Sequence, residues 1–403
     1  MKQNNKKTRK KSKNKGGKAI DSGGFGCVFS PALKCYNSKN RTIGISKLSF
    51  VENSNLEWNV LKDVKKLLSK IPNYNNYFLI SNISTCIPDK LTASDKENFN
   101  KCTSLEESGF NATNINENLS KFKIINMPYG GVNLDKIIDF NIVSFKELNL
   151  LLQNLLIYGI IPMNNLKIYH FDIKSSNILY KNGKIRIIDF GEIGFSTNSR
   201  VVPSILFNRT IQFNSPFSRI LYNSFISENI RKFFIKHNIT KTTKREKKVK
   251  IFKDVYNAYY NLGNIGHELF LNKFLIPGIF NLIPNSLIIE IWKIPLDEIN
   301  ISELLTEWIV NYCVEAIDNY FNYKTMSFNH DKYFSEIYSK NVDVYGFIMS
   351  YMNYIITQSD LYSHNLKVNI SILLIKYCFN STYAITPIPI KLLLKDLNKL
   401  PIN

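Results

Sequence analysis

The stretch YHFDIKSSNILYKNGKIRIIDFGE, residues 169–192, decides how the rest of the chain is interpreted. Two apolar runs, KIYHFD (residues 167–172) and KIRIIDFG (residues 184–191), predict short buried strands on either side of a loop. The dipeptide Asn182–Gly183 is a hairpin turn signal, so the chain is expected to fold Asp189 back toward Asn177. The stretch therefore gathers an aspartate, a lysine, an asparagine and a second aspartate within eighteen residues: Asp172, Lys174, Asn177 and Asp189.

These four side chains suit the transfer of a phosphoryl group. A divalent metal held between phosphates needs hard oxygen ligands, which aspartate and asparagine provide. The reaction also needs an acceptor for the proton of the attacking hydroxyl and a cation to balance charge on the moving group. The residue types in this loop meet each requirement.

The order and spacing of these residues resemble the protein kinases. HFDIKSSN is similar to the catalytic loop H-R-D-x-K-x-x-N, and residues 189–191 resemble the metal-binding D-F-G. The resemblance implies that Asp172 is the catalytic base and that Lys174 stabilises the transferred phosphoryl group. It also implies that Asn177 and Asp189 bind magnesium, and that the cofactors are ATP and Mg²⁺, with Mn²⁺ as an alternative.

Upstream, DSGGFGCV (residues 21–28) resembles the kinase glycine-rich loop G-x-G-x-x-G-x-V, except that Asp21 replaces the first glycine. Glycines let backbone N–H groups approach phosphates closely, whereas an acidic side chain would have to point outward. The resemblance implies a nucleotide-binding set made of Gly23, Gly24, Phe25, Gly26 and Val28.

Lys47, in the β-like run GISKL, occupies the position of the family's phosphate-binding lysine. Its expected ion-pair partner is Glu57, on an amphipathic helix predicted over residues 54–70, with Glu52 as the alternative. The apolar positions of that helix are Leu56, Val60, Val64, Leu67 and Leu68.

A capping box from Ser54 to Glu57 would use this glutamate on a backbone N–H, whereas a cap at Ser49 would leave Glu57 within the helix. Further on, INMPYGG resembles the segment that binds adenine. Its register is open over residues 127–130, which include Met127 and Tyr129.

Several positions depart from the family pattern. Phe171 replaces the arginine that receives a phosphate from the activation loop, so activity is expected not to depend on that phosphorylation. Thr210 lies six residues before Pro216 and matches the threonine that the family groups with its catalytic residues. The glutamate expected after Pro216 is missing and no arginine follows Arg245, so both members of a buried ion pair are expected to be absent.

The resemblance implies an α+β, bilobal protein-kinase-like fold with a small β-rich N-lobe and a larger helical C-lobe containing insertions. The predicted divisions are a disordered basic tail at 1–18, an N-lobe at 19–126 with an irregular insertion at about 72–120, and a C-lobe at 127–403 with a helical insertion at about 218–342. For the conserved aspartate of the family's helix F, Asp343 in DVYGFIMSY fits better than Asp254 in DVYNAYYNLG.

Charge and cysteine usage bear on partners and compartment. Net charge is +20, and nine of the first eighteen residues are Lys or Arg. This tail is expected to bind nucleic acid or an acidic partner, or to act only as a solvated leader.

The six cysteines have no zinc spacing and no secretory signal precedes them, which favours reduced thiols in a cytosol-like compartment. Charges and prolines interrupt the apolar region 270–292, which predicts buried core and no transmembrane segment.

The activity implied is that of a serine/threonine protein kinase whose substrates are proteins with Ser or Thr acceptors. Lys174 and Thr210 carry that class assignment. The large insertions and the phrase GGFGCVFSPALKC are similar to the divergent kinases of large DNA viruses. Such a protein would be cytoplasmic, in the host cell cytoplasm or the virion, or would reach the nucleus through the basic tail. The alternatives are a pseudokinase scaffold and a small-molecule kinase of the same fold.

Overall fold

The computed structural model describes residues 17–23, 26–284, 286–287, 301–357 and 360–401. The chain forms two compact units, Met1–Ser69 with Leu79–Gly130 and Lys70–Phe78 with Gly131–Asn403. A small antiparallel sheet characterises the first unit and helices dominate the second, which confirms the α+β class. Most of the predicted basic tail lies outside the described residues. Its last two residues are ordered, since the N–H of Gly17 donates to Asp95 Oδ1 at 2.6 Å and Lys18 begins a strand.

The first unit is built on a five-stranded antiparallel sheet with the strand order β1-β2-β3-β5-β4. Its strands are β1 (Lys18–Gly23), β2 (Gly26–Ser30), β3 (Ile45–Phe50), β4 (Ser84–Cys86) and β5 (Phe122–Met127). In the central strand β5, Ile124 and Ile125 are both fully buried. Both faces of this part of the sheet are therefore covered.

Helix α1 (Val51–Leu68) follows β3 directly and packs on the sheet. Its buried apolar residues are Leu61, Val64 and Leu68. Leu56 is 67% exposed, so the predicted apolar stripe was wrong at that position. Neither predicted capping box forms, because the helix begins at Val51 and the Ser54 hydroxyl bonds instead to the Ser49 hydroxyl at 2.6 Å.

An irregular insertion was predicted at about 72–120, and most of it lies in residues 79–121, here called the insertion layer. They contain β4 and a short helix α2 (Thr103–Glu107), and they contribute to the main core of the first unit. The buried residues from this layer are Leu91, Phe99, Cys102, Leu105 and Ile115. They pack with Phe29 and Leu48 of the sheet, so the layer stabilises the sheet by apolar burial and is more than a surface loop.

Two disulfides join this layer to the rest of the unit, Cys27–Cys102 and Cys35–Cys86. The expectation of reduced thiols was therefore wrong for four of the six cysteines. The partners are separated by 75 and 51 residues, and only the folding of the insertion layer brings their Cα atoms within 5.0 and 5.8 Å. Cys313 and Cys378 are free and buried.

The second unit is mainly helical. Its α-helices are α3 (Leu134–Asp139), α4 (Phe145–Leu155), α5 (Ile161–Asn165), α6 (Ser224–Lys236), α7 (Arg245–Asn261), α8 (Glu268–Phe270), α9 (Ile276–Leu282), α10 (Ile301–Tyr320), α11 (His330–Tyr333), α12 (Ser339–Met349), α13 (Asn353–Ile356), α14 (His364–Leu374) and α15 (Ile390–Asn398). Its short strands are β6 (Val132–Asn133), β7 (Ile168–Tyr169), β8 (Ile178–Lys181), β9 (Lys184–Ile187), β10 (Gly194–Phe195), β11 (Phe321–Asn322) and β12 (Ser327–Phe328).

These strands form three small antiparallel groups, β6-β8-β9, β7-β10 and β11-β12. The described parts of the predicted insertion at 218–342 are mainly helical and contribute α6 to α11, with the short β11–β12 pair between α10 and α11. In the apolar region 270–292, Leu271, Leu275 and Ile279 are buried, while Phe274 is 59% exposed. Across the described ranges, no helix is long and apolar enough to span a bilayer.

Candidate active site

The carboxylate of Asp343, on α12, anchors the backbone of the loop that follows β7. The N–H groups of His170 and Phe171 each donate to one oxygen of the Asp343 carboxylate, both at 2.9 Å. The residue that accepts these bonds is Asp343, the aspartate that the sequence favoured over Asp254. Burial raises the pKa of Asp343 to about 6, against the lowering effect of His170 and the two N–H donors.

Phe171 is a buried core residue, 1% exposed, with a left-handed backbone at φ 60°. A non-glycine residue rarely adopts this conformation unless its surroundings hold it there. Here the two N–H bonds to Asp343 do so, and the Phe171 ring packs against Tyr169 at a centroid distance of 5.8 Å. An apolar ring therefore fills the place where the sequence pattern expected an arginine.

The Asp172 carboxylate accepts three side-chain donors. Asn214 Nδ2 lies 2.8 Å from its Oδ1, while Asn177 Nδ2 and Lys174 Nζ each lie 2.9 Å from its Oδ2. Two carboxylate oxygens offer about four lone-pair positions, so one remains for a further donor such as a substrate hydroxyl. The carboxylate is thus oriented and can still accept a proton.

The β8–β9 hairpin brings Asn177 and Asp189 to the same end, as predicted. Its turn lies at Asn182–Gly183, both with positive φ, and Ile178 pairs with Ile187. One residue beyond that pair, the Ile188 N–H donates to the carbonyl of Asn177 at 3.0 Å.

Asp189 is exposed while Phe190 is buried beside His170, with ring centroids 5.4 Å apart. The Asn177 amide oxygen and the Asp189 carboxylate are hard donors of the kind that Mg²⁺ takes beside phosphate oxygens and water. No cluster of three or more His, Cys, Asp or Glu suited to a metal occurs among the described residues. The donor set fits a magnesium ion that the phosphates would also bind.

In the first unit, Lys47 and Glu57 form the expected ion pair, with Nζ 2.7 Å from Oε2. Lys47 lies in β3 between Val28 of β2 and Ile125 of β5. Both side chains are partly exposed, at 17% and 24%. Because Ser54 bonds to Ser49, the carboxylate of Glu57 is not used in a helix cap.

The predicted glycine-rich loop is described only at its two ends. Gly23 pairs with Gly26 across the β1–β2 ladder, while Gly24 and Phe25 lie outside the described residues. A Cβ at Gly26 would come within 2.7 Å of Ser49 Cβ, so glycine is required there for close strand packing.

Two further parts of the predicted nucleotide set are placed in the same unit. Val28 is half-buried and pairs with Lys47. Met127 ends β5 opposite Ile45, and Tyr129 follows it with 46% of its surface exposed.

Thr210 lies four residues before the asparagine that contacts Asp172. In the part of the chain that the structure describes, no hydrogen bond joins Thr210 to Asp172. Thr210 instead lies against Gly266, and Asn214, four residues later, supplies the amide on Asp172. Nothing in the sequence around Asn214 signals this role, because its partner lies 42 residues away.

A buried arginine was also missed. The absence of both members of the family's buried ion pair was expected, yet Arg219 is 1% exposed and lies within 3.6 Å of the Glu192 carboxylate. Arg219 Nη1 donates to Gln212 Oε1 at 2.7 Å and to Ser215 Oγ at 2.9 Å. A different pair therefore occupies this part of the second unit.

No protein-family model matches the chain, and a comparison with curated proteins gives no match.

Proposed function

We propose that the chain is an ATP-dependent protein kinase with a bilobal kinase-like fold that transfers the γ-phosphoryl group to Ser or Thr hydroxyls. The observation that carries the proposal is the Asp172 carboxylate, held by Lys174, Asn177 and Asn214 with one lone-pair position left. The Lys47–Glu57 pair and the exposed carboxylate of Asp189 support it.

In the proposed reaction, Asp172 accepts a hydrogen bond from the substrate hydroxyl and orients its oxygen toward the γ-phosphorus. The new O–P bond forms as the bond between the γ-phosphorus and the bridging oxygen breaks, and ADP leaves. The hydroxyl proton passes to Asp172. Lys174, whose Nζ lies 2.9 Å from that carboxylate, balances negative charge on the transferred group.

Lys47 would bind the α- and β-phosphates, with Glu57 fixing its ammonium group. Mg²⁺, held by Asn177 and Asp189, would neutralise charge on the phosphate oxygens. Burial of Phe171 supports a further part of the proposal, independence from activation-loop phosphorylation, because no arginine stands there to receive the phosphate.

The proposal extends to the substrate class, the partner of the basic tail and the compartment. Protein substrates are favoured over small molecules by the threonine-bearing segment RTIQFNSPF at residues 209–217, and the basic tail would bind nucleic acid or an acidic partner. A viral kinase would work in the host cell cytoplasm or virion.

The test is phosphoryl transfer from radiolabelled ATP with Mg²⁺ to generic acidic and basic proteins. Asp172→Asn should lower kcat by about 10²- to 10⁴-fold, the usual contribution of general base catalysis. Asp254→Asn, at an exposed aspartate on α7, serves as the matched control and should retain activity.

Phosphoamino-acid analysis should give phosphoserine or phosphothreonine. If the chain binds Mg-ATP tightly but transfers no more label than Asp172→Asn, it is a nucleotide-binding scaffold. Label recovered only in small molecules would reject the protein substrate.

A further inference from the structure

The Glu192 carboxylate, directly after residues 189–191, contacts two arginines that come later in the chain. Arg209 Nη2 lies 2.9 Å from Oε1 and Arg219 Nη2 lies 3.6 Å from Oε2. Glu192 is 26% exposed, Arg209 35% and Arg219 only 1%. The partly buried carboxylate of Glu192 therefore forms ion pairs with the partly exposed Arg209 and with the buried Arg219.

Both arginines bond to residues of the same segment, Arg209 to a backbone carbonyl and Arg219 to two side chains. Arg209 Nε donates to the carbonyl of Ile205 at 3.4 Å. Arg219 donates to Gln212 and Ser215, at 2.7 and 2.9 Å. The segment 205–219, here called the arginine-bound segment, is therefore attached to Glu192 at two places.

Asn214 lies inside this segment, next to Ser215. Its amide donates to Asp172 Oδ1 at 2.8 Å and to the Ile173 carbonyl at 3.2 Å, and the residue is 1% exposed. A displacement of Ser215 would move Asn214 with it, because the two are adjacent in the chain. The path from Glu192 to Asp172 therefore runs through Arg219, Ser215 and Asn214.

The negative charge of Glu192 stabilises the buried Arg219 more than the partly exposed Arg209, because water cannot reach Arg219. Nε and Nη2 of this arginine have no hydrogen-bond partner among the described residues, and its other contacts are neutral oxygens. Glu192 is the carboxylate that forms an ion pair with it in the described part of the chain. A buried cation that loses its anion is strongly unfavourable, so the segment should rearrange when Glu192 is neutralised.

We propose that Glu192 is a positioning residue: through Arg209 and Arg219 it holds the arginine-bound segment so that Asn214 stays on Asp172. This inference rests on the proposed phosphoryl transfer and adds its regulation. A carboxylate encoded in the chain orders the segment, so no phosphate has to be added to it.

The first measurement is hydrogen–deuterium exchange of peptides covering residues 205–219, which requires no activity. Glu192→Gln should raise exchange in this segment by about tenfold or more, because a buried pair loses its charge. Glu192→Asp, which keeps the anion, should restore most of the protection. Glu228→Gln, at an exposed glutamate on α6, is the control and should leave the segment unchanged.

The second measurement separates kcat from the KM for ATP in the same variants. Glu192→Gln should lower kcat by about tenfold or more with a KM change below about twofold, because the change acts on the arrangement around Asp172. Wild-type protein treated with phosphatase should keep both its protection and its kcat.

Unchanged exchange in Glu192→Gln overturns the inference, and so does equal loss in Glu192→Gln and Glu192→Asp. If the wild type transfers no phosphoryl group, the proposed function fails. The exchange result then still decides whether Glu192 orders the segment.

Discussion

The amide of Asn214 reaches two acceptors at once, the Asp172 carboxylate at 2.8 Å and the Ile173 carbonyl at 3.2 Å. It therefore fixes both the backbone of the loop and the orientation of the proposed base. A hydrogen bond to a charged group contributes more than one between neutral groups, because the full charge strengthens the attraction.

Asn214→Ala should lower kcat by about 10- to 100-fold, because a hydrogen bond to a charged group is worth about 1.5–3 kcal/mol. The KM for ATP should change little, since the Asn214 amide bonds to Asp172 and to the Ile173 carbonyl, which orient the proposed base. Steady-state kinetics measure both values. Asn369→Ala, which removes an exposed amide bonded within α14, is the control. A rise in KM with unchanged kcat would contradict the assigned role.

Asp343 makes the stability of the chain depend on pH. Its pKa in the folded state, about 6, lies above the ordinary carboxyl value of 3.8 because the group is buried. Between about pH 4 and pH 6, the Asp343 carboxyl is therefore mostly protonated in the folded chain and mostly ionised in the unfolded chain. This contribution to stability is present below about pH 4 and is lost as the pH rises through about 6.

The unfolding free energy of the wild type should consequently rise relative to Asp343→Asn as the pH falls from 7 to 5. One unit of pKa shift corresponds to about 1.4 kcal/mol. Urea unfolding at several pH values measures the difference. If the unfolding free energies of the two proteins change equally with pH, Asp343 does not titrate in this way.

At the scale of elements, the sheet of the first unit depends on the insertion layer. Phe99 and Leu105 of that layer are buried against the same core as Leu48 of β3, the neighbour of Lys47. The two disulfides join the layer to the chain around β2. The position of the Lys47 strand is thus supported from a part of the chain far from it in sequence.

Replacing Cys27 and Cys102 together by serine should lower the unfolding free energy by about 2–4 kcal/mol, because the unfolded chain regains the freedom of a long loop. Urea unfolding in oxidising buffer measures the loss. Dithiothreitol should destabilise the wild type but not the variant that lacks all four bridged cysteines. Equal stability with and without reductant would argue against both bridges.

Local spacing was enough to predict the loop at 169–192, its hairpin and helix α1, while the pairing of Lys47 with Glu57 was implied by the resemblance to the kinases. In each of these cases, the partners are separated by a few residues or by one hairpin. Contacts across long separations were missed, among them Asn214 on Asp172 and Arg219 beside Glu192. The bridge between Cys27 and Cys102 was missed for the same reason. Such contacts depend on how whole elements pack, which periodicity does not encode.

At the scale of the whole molecule, a ligand that binds only the folded chain stabilises it by mass action. Mg-ATP at about 100 times its Kd should raise the unfolding free energy by about 2.7 kcal/mol. Asp189→Asn should remove the part of this increase that depends on magnesium, because it removes a proposed metal ligand. Thermal unfolding with ATP, with and without Mg²⁺, measures the effect. An increase equal in both conditions would contradict the role of Asp189.

The anchor of the loop at Asp343 also constrains how the protein is made. The carboxylate that receives the N–H of His170 lies 173 residues downstream, so a ribosome must complete most of the second unit before this loop can close. A product terminated before α12 would contain every residue of the stretch 169–192 yet leave the two N–H groups without their acceptor. Expression of the isolated stretch, or of a truncated chain, should therefore yield an unstructured loop. Dependence on such distant pairing also predicts slow folding, because the loop cannot close until α12 has been synthesised.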